Sequence, residues 1–525
     1  MVDARGPIVA RRAAELAVAA SIDLPDDLAL WGLAGGRPTV GPVPGDPEEL
    51  GTLLEGALGA LTRRRQGVHH TPRALAVSLV ERAIGERARP VIGDPACGGG
   101  ALLLAAARHL AHRGERPADI VQRLWGADID PLAAATTEAA LSLWAGAPPP
   151  PGHVHAADAL VEELGWPRLD VVVGNPPFLS QLGATTTRRP ADAARLRGRF
   201  GDAVRPYTDP ASLFLLLACE LAAPDGMVAL VQPQSVLAAR DAVGVREAIT
   251  ARADLDDVWF PEQPGFEAAV DVCVPFLRCG RSGDDARWSS HLARANGVPA
   301  VDLRSRRKVA DEAIATAGFR GEYYGMVDHV HEVEDRPAAI PLVTTGLVDL
   351  GRVAWGERSA RIGGRVWDRP VLDVAGLEGR ASVWAQRTRG PKVVVATQTQ
   401  VVEAVVDDDG AWIPAVPLVV LLAPVECLWP LASAVASPAV SAWLLARAAG
   451  AALTRRSLKV SAALLREVPL PSDADAWTAG TEAFRGGDLE GYVAAMAAAY
   501  GVGSHVGDWW IERARTVWSP VPVPR

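Results

Sequence analysis

Between about residues 90 and 280 the chain alternates short β-branched runs with longer alanine- and leucine-rich stretches whose apolar residues recur at helical spacing. The strand-like runs are PVIGDP (90–95), RLWGADID (123–130), HVHAAD (153–158), LDVVVGNP (169–176), GMVALVQP (226–233), LDDVWF (255–260) and DVCVPFLR (271–278). Between them lie GALLLAAARHLAHR, PLAAATTEAALSLW and PASLFLLLACELAA, each patterned as a buried helix. Strands that are almost wholly apolar and alternate with helices predict a parallel sheet covered on both faces. The fold class expected is therefore α/β, a doubly wound seven-stranded domain with a second mixed α/β domain after it. In such a sheet ligands bind at the carboxyl ends of the strands.

The texture differs on either side. Residues 1–64 read as a polar helical cap before a catalytic domain over 65–295. Residues 296–472 turn Trp-, Gly- and Val-rich, as in LVTTGLVDLGRVAWGERSARIGGRVWDRP and PKVVVATQTQVVEAVVDDDGAWIP, and predict the second domain. Residues 473–525 read as a C-terminal helical tail. The proline run GAPPPPGH (146–153) predicts a loop. The most apolar region, Ala415 to Ala446, is broken by Pro417, Pro424, Glu426, Pro430 and Pro438, which predicts a buried strand and a core helix instead of a membrane span. The N-terminus lacks the uninterrupted apolar core of a signal peptide.

Composition narrows the class. Of 525 residues 49% are apolar and 22% charged, an ordinary globular balance. The five cysteines (Cys97, Cys219, Cys273, Cys279, Cys427) show no CxxC spacing and no neighbouring histidines, so neither a disulfide framework nor a zinc site is expected, and a cytoplasmic location fits. The net charge of −9 argues against a nucleic-acid partner until it is mapped. Residues 1–60 carry net −5 and residues 472–525 net −3, which leaves the interior close to neutral. There RRPADAARLRGRFGDAVRP (188–206), RSRRK (304–308) and TRRSLK (454–459) are locally basic, candidates for phosphate contact as well as ordinary solvated faces.

The chemistry gathers at the predicted strand ends. In VIGDPACGGGALLL, Asp94 ends a strand and Gly98, Gly99 and Gly100 open a helix, a turn that lets backbone approach a ligand. The loop has no Gly-Lys-Ser/Thr, and its spacing departs from GxGxxG. Asp128 ends the next strand, where a carboxylate can accept from two ribose hydroxyls, with Ile129 beside it as a surface for a purine face. Asp158 follows the third strand, where it can accept from an exocyclic amine.

After the fourth strand comes Asn175-Pro176-Pro177-Phe178, with no acid, base or nucleophile in it. The prolines fix φ and cannot donate, so the Pro176 carbonyl is held as an acceptor beside the Asn175 side-chain oxygen. Two acceptors on one aromatic NH₂ group favour a pyramidal nitrogen whose lone pair can attack an electrophile. The proton leaves only after the nitrogen is alkylated, so no base is needed first. Phe178 offers a ring to stack on the amine-bearing base.

DPACGGG, GADID, ADAL and NPPF, in this order, resemble motifs I to IV of the S-adenosylmethionine-dependent adenine-N6 DNA methyltransferases that carry a target-recognition domain after the catalytic one. GVHHTPRALAVSLV (67–80) is similar to that family's motif X, with Thr71 as a helix N-cap and Pro72 in the first turn. YTDPASLFL, GMVALVQPQSVL and PGFEAAVDVCVPFLR resemble motifs V, VI and VIII. The resemblance implies that Thr71, Asp94, Ala96, Gly98, Asp128, Ile129 and Asp158 hold S-adenosylmethionine, and that Asn175, Pro176, Pro177 and Phe178 hold a flipped adenine, with Phe266 a weaker candidate against the base. Gly99 stands where serine is common, and Ala159 where a bulky residue often covers the cofactor's adenine. Double-stranded DNA is the implied partner, with a separate restriction endonuclease or defence-system subunits as further partners and no membrane. Two other readings stay open: a protein-glutamine or ribosomal-RNA methyltransferase using the same NPPF chemistry, and an inactive methyltransferase-like specificity component that binds DNA.

Overall fold

The computed structural model describes residues 5–57, 71–178, 190–205, 208–261, 271–284, 286–318, 320–448 and 458–514. The chain divides into two compact units, Met1–Trp288 and Ser289–Arg525.

The first unit opens with helices α1 (Gly6–Ala20), α2 (Ala29–Ala34), α3 (Glu49–Gly56) and α4 (Arg73–Ile84). Then follow β1 (Ile92–Asp94), α5 (Ala101–His112), β2 (Leu124–Asp128), α6 (Pro131–Ala145), β3 (Val154–Ala156) and β4 (Leu169–Gly174). After these come α7 (Pro190–Phe200), α8 (Pro210–Leu221), β5 (Ala222–Leu230), β6 (Gln232–Pro233), α9 (Val243–Thr250), β7 (Ala253–Trp259) and β8 (Val272–Cys279). The sheet order is β3-β2-β1-β4-β5-β8-β6, with β7 pairing β8. β1 to β5 run parallel and β8 runs antiparallel to both β5 and β7. The expected α/β doubly wound architecture is thus present, with eight strands where seven were expected. The extra one arises because the run over 226–233 breaks at Val231. Gln232 and Pro233 then pair with Cys273 and Val272 of β8, and proline ends the ladder because it has no N–H to give.

Strand order reverses beside β1, which has β2 on one side and β4 on the other. That switch point opens a crevice at the carboxyl ends of the two strands, where Asp94 and Asn175 lie. The packing behind it is dense. Leu103, Leu104, Val171 and Val173 are fully buried, each of a size worth about 1.5–3 kcal/mol on burial. Val9, Leu30, Trp31 and Leu50 of the N-terminal helices belong to the same apolar core as Leu103 and Val171.

The second unit is also mixed α/β. One sheet joins β9 (Ile314–Ala317) to strands Lys392–Val395, Ala404–Asp407 and Val419–Leu422, and another joins Val330–Glu332, Ile340–Val343, Pro370–Leu372 and Ile413–Pro414. The apolar run after Ala415 forms strand Val419–Leu422 and then two helices, Val425–Val435 and Pro438–Ala448, meeting at 65° where one core helix was expected. Pro438 at the start of the second helix accounts for the break. Among the described residues no single helix is long and apolar enough to cross a membrane. The helices after residue 473 bring Phe484, Tyr492, Met496 and Trp510 into one core with Val393 and Leu421.

Candidate active site

Asp94 closes β1 and is 1% exposed. Its Oδ1 accepts from the Ala96 amide at 3.0 Å. Burial pushes this carboxyl up to about 8, the charge of Asp128 adds to the rise, and the amide only partly offsets them. Asp128 closes β2 and accepts from the Gly98 and Asp130 amides, both at 2.9 Å. Burial holds it above the usual carboxylate range despite these donors. The glycine turn runs between the two acids. Gly98 and Gly100 have φ of 52° and 86°, a region that favours glycine. Gly99 is required for another reason: a Cβ there would lie 2.3 Å from the Cα of Gly51 on α3. The loop therefore rests backbone to backbone on an N-terminal helix. Thr137 of α6, fully buried, completes the seat by donating to the Gly98 carbonyl at 2.7 Å.

Ile129 is 70% exposed, an aliphatic surface held beside Asp128. Asp158 lies two residues beyond β3, where its Oδ1 accepts from the Leu160 amide at 3.2 Å and its own amide donates to Glu162 at 2.8 Å. Ala159 is 2% exposed, and its carbonyl accepts from Arg199 at 2.9 Å.

Asn175 follows β4 directly. Gly174 before it is fixed by space, since a Cβ would come within 2.9 Å of Leu230 and 3.1 Å of Asp94 Oδ1. The Asn175 Nδ2 donates to Thr71 Oγ1 at 3.0 Å. Thr71 is thus not the helix N-cap that its sequence context predicts. Pro72, at ψ 138°, occupies the N-cap position and α4 starts at Arg73, so the Thr71 hydroxyl lies one residue too far out to reach the first-turn amides. It turns to Asn175 instead. Pro176 is buried, Pro177 half-buried, and Phe178 is 8% exposed with its ring in the apolar core. Phe266 lies outside the described residues.

The structure brings Thr71, Asp94, Asp128 and Asn175 to one end of the sheet, with Thr71 bonded to Asn175 and Asp94 within the electrostatic reach of Asp128; Gly51 and Thr137 were missed. Nothing in a single sequence marks them, because each acts through a contact made only on folding. Of the basic clusters, 304–308 is largely neutralised: Arg304 pairs with Asp302, Arg307 with Glu312 and Lys308 with Glu467. In 188–206, Arg199 turns inward to the Ala159 carbonyl and Glu220, while Arg195 and Arg197 are exposed. Cluster 454–459 lies outside what the structure describes beyond a short strand at Leu458–Lys459.

The glycine turn, the strand-end acids and the Asn-Pro-Pro corner thus lie at one end of a doubly wound sheet of the kind found in nucleotide-binding folds. The N-6 DNA Methylase family matches residues 46–316, half of the chain. The chain belongs to that family and is an S-adenosylmethionine-dependent, adenine-specific DNA methyltransferase. Among solved structures it is similar to the type IIL restriction-modification enzyme MmeI in complex with DNA, at TM-score 0.56 and 13% identity over 94% of this chain and 81% of that one. It also matches the type IIG restriction endonuclease BpuSI at TM-score 0.43 and 12% identity, over 98% of this chain and 78% of that one. The M protein of the type I restriction enzyme EcoKI matches at TM-score 0.33 and 18% identity, over 50% and 53% of the two chains. At 13% identity the likeness to MmeI is one of fold. No curated protein sequence matches the chain.

Proposed function

We propose that this protein methylates N6 of an adenine flipped out of duplex DNA at a specific sequence, as the modification activity of a restriction-modification or phage-defence system in the cytoplasm. The observation that carries the reading is the Asn175 amide at the end of β4, oriented by Thr71 and next in sequence to the glycine that closes on Asp94.

The residues at the strand ends fit the cofactor. Asp94 and Asp128 are two desolvated carboxylates whose described partners are amides, an arrangement that a cation complements. Asp128 would accept from the ribose, Ile129 would lie on the purine, and Asp158 would accept from the exocyclic amine. Ala96 and Gly98 would present backbone to the methionine half, with Thr71 at its edge. When bound, S-adenosylmethionine supplies an electrophilic methyl group on a sulfonium.

On the substrate side, donation to Thr71 turns the Asn175 Oδ1 away from Thr71 as an acceptor. That oxygen and the Pro176 carbonyl would each take one hydrogen of the adenine amine and draw the nitrogen toward a tetrahedral shape. Pro177 stiffens the corner. Phe178, 8% exposed, would give a ring edge or face to the base. Flipping costs a few kcal/mol, offset by stacking and by phosphate contacts.

The test is transfer of a labelled methyl group into duplex DNA, RNA and total protein in parallel. Label in N6 of adenine in duplex DNA, lost in Asn175→Ala, supports the reading. Label in RNA or protein alone, or no transfer by protein that binds the cofactor, refutes it.

A further inference from the structure

The second unit presents a β-hairpin formed by Ala360–Ile362 and Arg365–Trp367. Its register pairs Ile362 with Arg365 across a two-residue tip, Gly363-Gly364, and both glycines have positive φ, 61° and 80°. Such a tip forms the tight turn whose twist matches that of the strands. The hairpin is anchored on one side. The Gly363 amide donates to the Tyr323 hydroxyl at 2.9 Å, and a Cβ on Gly363 would meet Val327 at 2.5 Å. Ala360 and Ile362 are buried beneath it. The other side is open: nothing lies within 4 Å of a Cβ built on Gly364, and Val366 is 62% exposed.

Arg365 adjoins that tip on the face of its partner Ile362, and Arg361 lies one residue before the tip's other end on the open face with Val366. Both are exposed and, among the described residues, without a carboxylate partner. Nearby cations are neutralised, as in Arg336 with Asp373, Arg358 with Asp349 and Arg369 with Glu334, whereas Arg380, Arg387 and Arg389 on and after the next helix are exposed like the hairpin pair. Tyr324, on the helix that holds the hairpin, is 66% exposed. In a chain of net charge −9, one guanidinium group on each face of a thin ribbon places positive charge on both sides of its tip.

We propose that this hairpin enters the major groove of duplex DNA and that Arg361 and Arg365 contact it, which makes the hairpin a determinant of the methylated sequence. The inference rests on the DNA-methylation reading. A two-stranded ribbon fits a groove about 12 Å wide, a guanidinium fork matches O6 and N7 of guanine as well as phosphate oxygens, and Val366 offers an apolar contact for a thymine methyl. The glycine tip brings backbone close to the bases without a side chain in the way.

The experiment uses the full-length chain with Arg361→Ala/Arg365→Ala, and Arg304→Ala/Arg307→Ala as a control in which neutralised cations are removed. Binding to a duplex carrying the sequence that wild type methylates is followed by fluorescence anisotropy across a salt series, alongside S-adenosylmethionine binding. The hairpin variant is expected to bind DNA at least about tenfold more weakly, or to methylate a relaxed set of sequences, with cofactor affinity unchanged. Where the lost contacts are to phosphate, the log–log salt slope falls in magnitude by roughly 0.9 per contact. DNA affinity within twofold of wild type with the same methylated sequence overturns the proposal. So does loss of self-association in the variant with DNA binding intact, which assigns the face to a second copy of the chain. If wild type itself methylates no DNA, the functional reading fails first and takes the hairpin with it.

Discussion

The Asn175 side-chain amide donates to the Thr71 hydroxyl at 3.0 Å, across 104 residues of chain. Thr71 is 6% exposed, so this bond is made largely out of water, where an unmade partner is costly. The segment before α4, assigned by resemblance to the cofactor, thus also fixes the orientation of the Asn175 side-chain amide.

Removing that hydroxyl while keeping the shape is the first test. Thr71→Val is expected to lower kcat for DNA methylation roughly tenfold, about the worth of one buried hydrogen bond, while Thr71→Ser stays within about threefold of wild type. Single-turnover rates at saturating cofactor and DNA check this. A loss in Thr71→Ser with Thr71→Val close to wild type would mean that the methyl group, not the hydroxyl, matters.

The Asp94 carboxyl, pushed up to about 8, binds a proton at neutral pH that it must give up to meet a cation. Affinity for S-adenosylmethionine is therefore expected to rise with pH up to about 8, by up to about tenfold per unit, and then level off. Calorimetry at pH 7 in buffers of different ionisation enthalpy should show close to one proton released per cofactor bound. Asp94→Asn should bind more weakly at pH 8 and lose the dependence.

Gly99→Ser restores a residue type common at this position in the family, yet here it is expected to damage the protein. Its Cβ would fall 2.3 Å from backbone of Gly51, so α3 or the glycine turn must move. The expected cost is about 1–3 kcal/mol of stability, with weaker cofactor binding, measured by urea unfolding and by titration. Unchanged stability would show that α3 does not seat the turn.

In the second unit Glu403 is 5% exposed, and burial, followed by the charge of Asp349, pushes its carboxyl up to about 8 against the pull of Arg358. The folded state then holds a proton that the unfolded state releases above the ordinary glutamate range, so stability falls as pH rises from there to about 8. Glu403→Gln is expected to raise the urea midpoint most at pH 9, less at pH 6, and to change it little near pH 4. The opposite order would place the negative charge, not the neutral acid, in the native structure.

Much of this architecture could be read from the chain. The valines of 171–173 and the leucines of 102–104 and 215–217 carry unmistakable strand and helix patterns, because almost every position is buried and no polar face competes. Asp94, Asp128 and Asn175 were legible because each ends such a strand. What was not legible depends on non-local packing. Gly51 against Gly99, Thr137 under Gly98 and Asn175 on Thr71 are contacts between segments far apart in sequence, and no local period encodes them. Thr71 shows the difference clearly: Thr-Pro before a helical run reads as a cap, yet the φ-locked proline took that place and freed the hydroxyl for the asparagine. Charge was misleading too. RSRRK looks like a phosphate-binding run but is paired off by acids, while Arg361 and Arg365, inconspicuous in RIGGR, stand exposed without acidic partners among the described residues.

The central claim is that the Asn175 corner methylates adenine N6 in DNA. It is tested most directly by single-molecule sequencing and nucleoside mass spectrometry of DNA from a methylation-free host that expresses either wild type or Asn175→Ala. Wild type should leave N6-methyladenine in one sequence context and the variant should leave none. Absence of N6-methyladenine with wild type, or its persistence in the variant, would contradict the account.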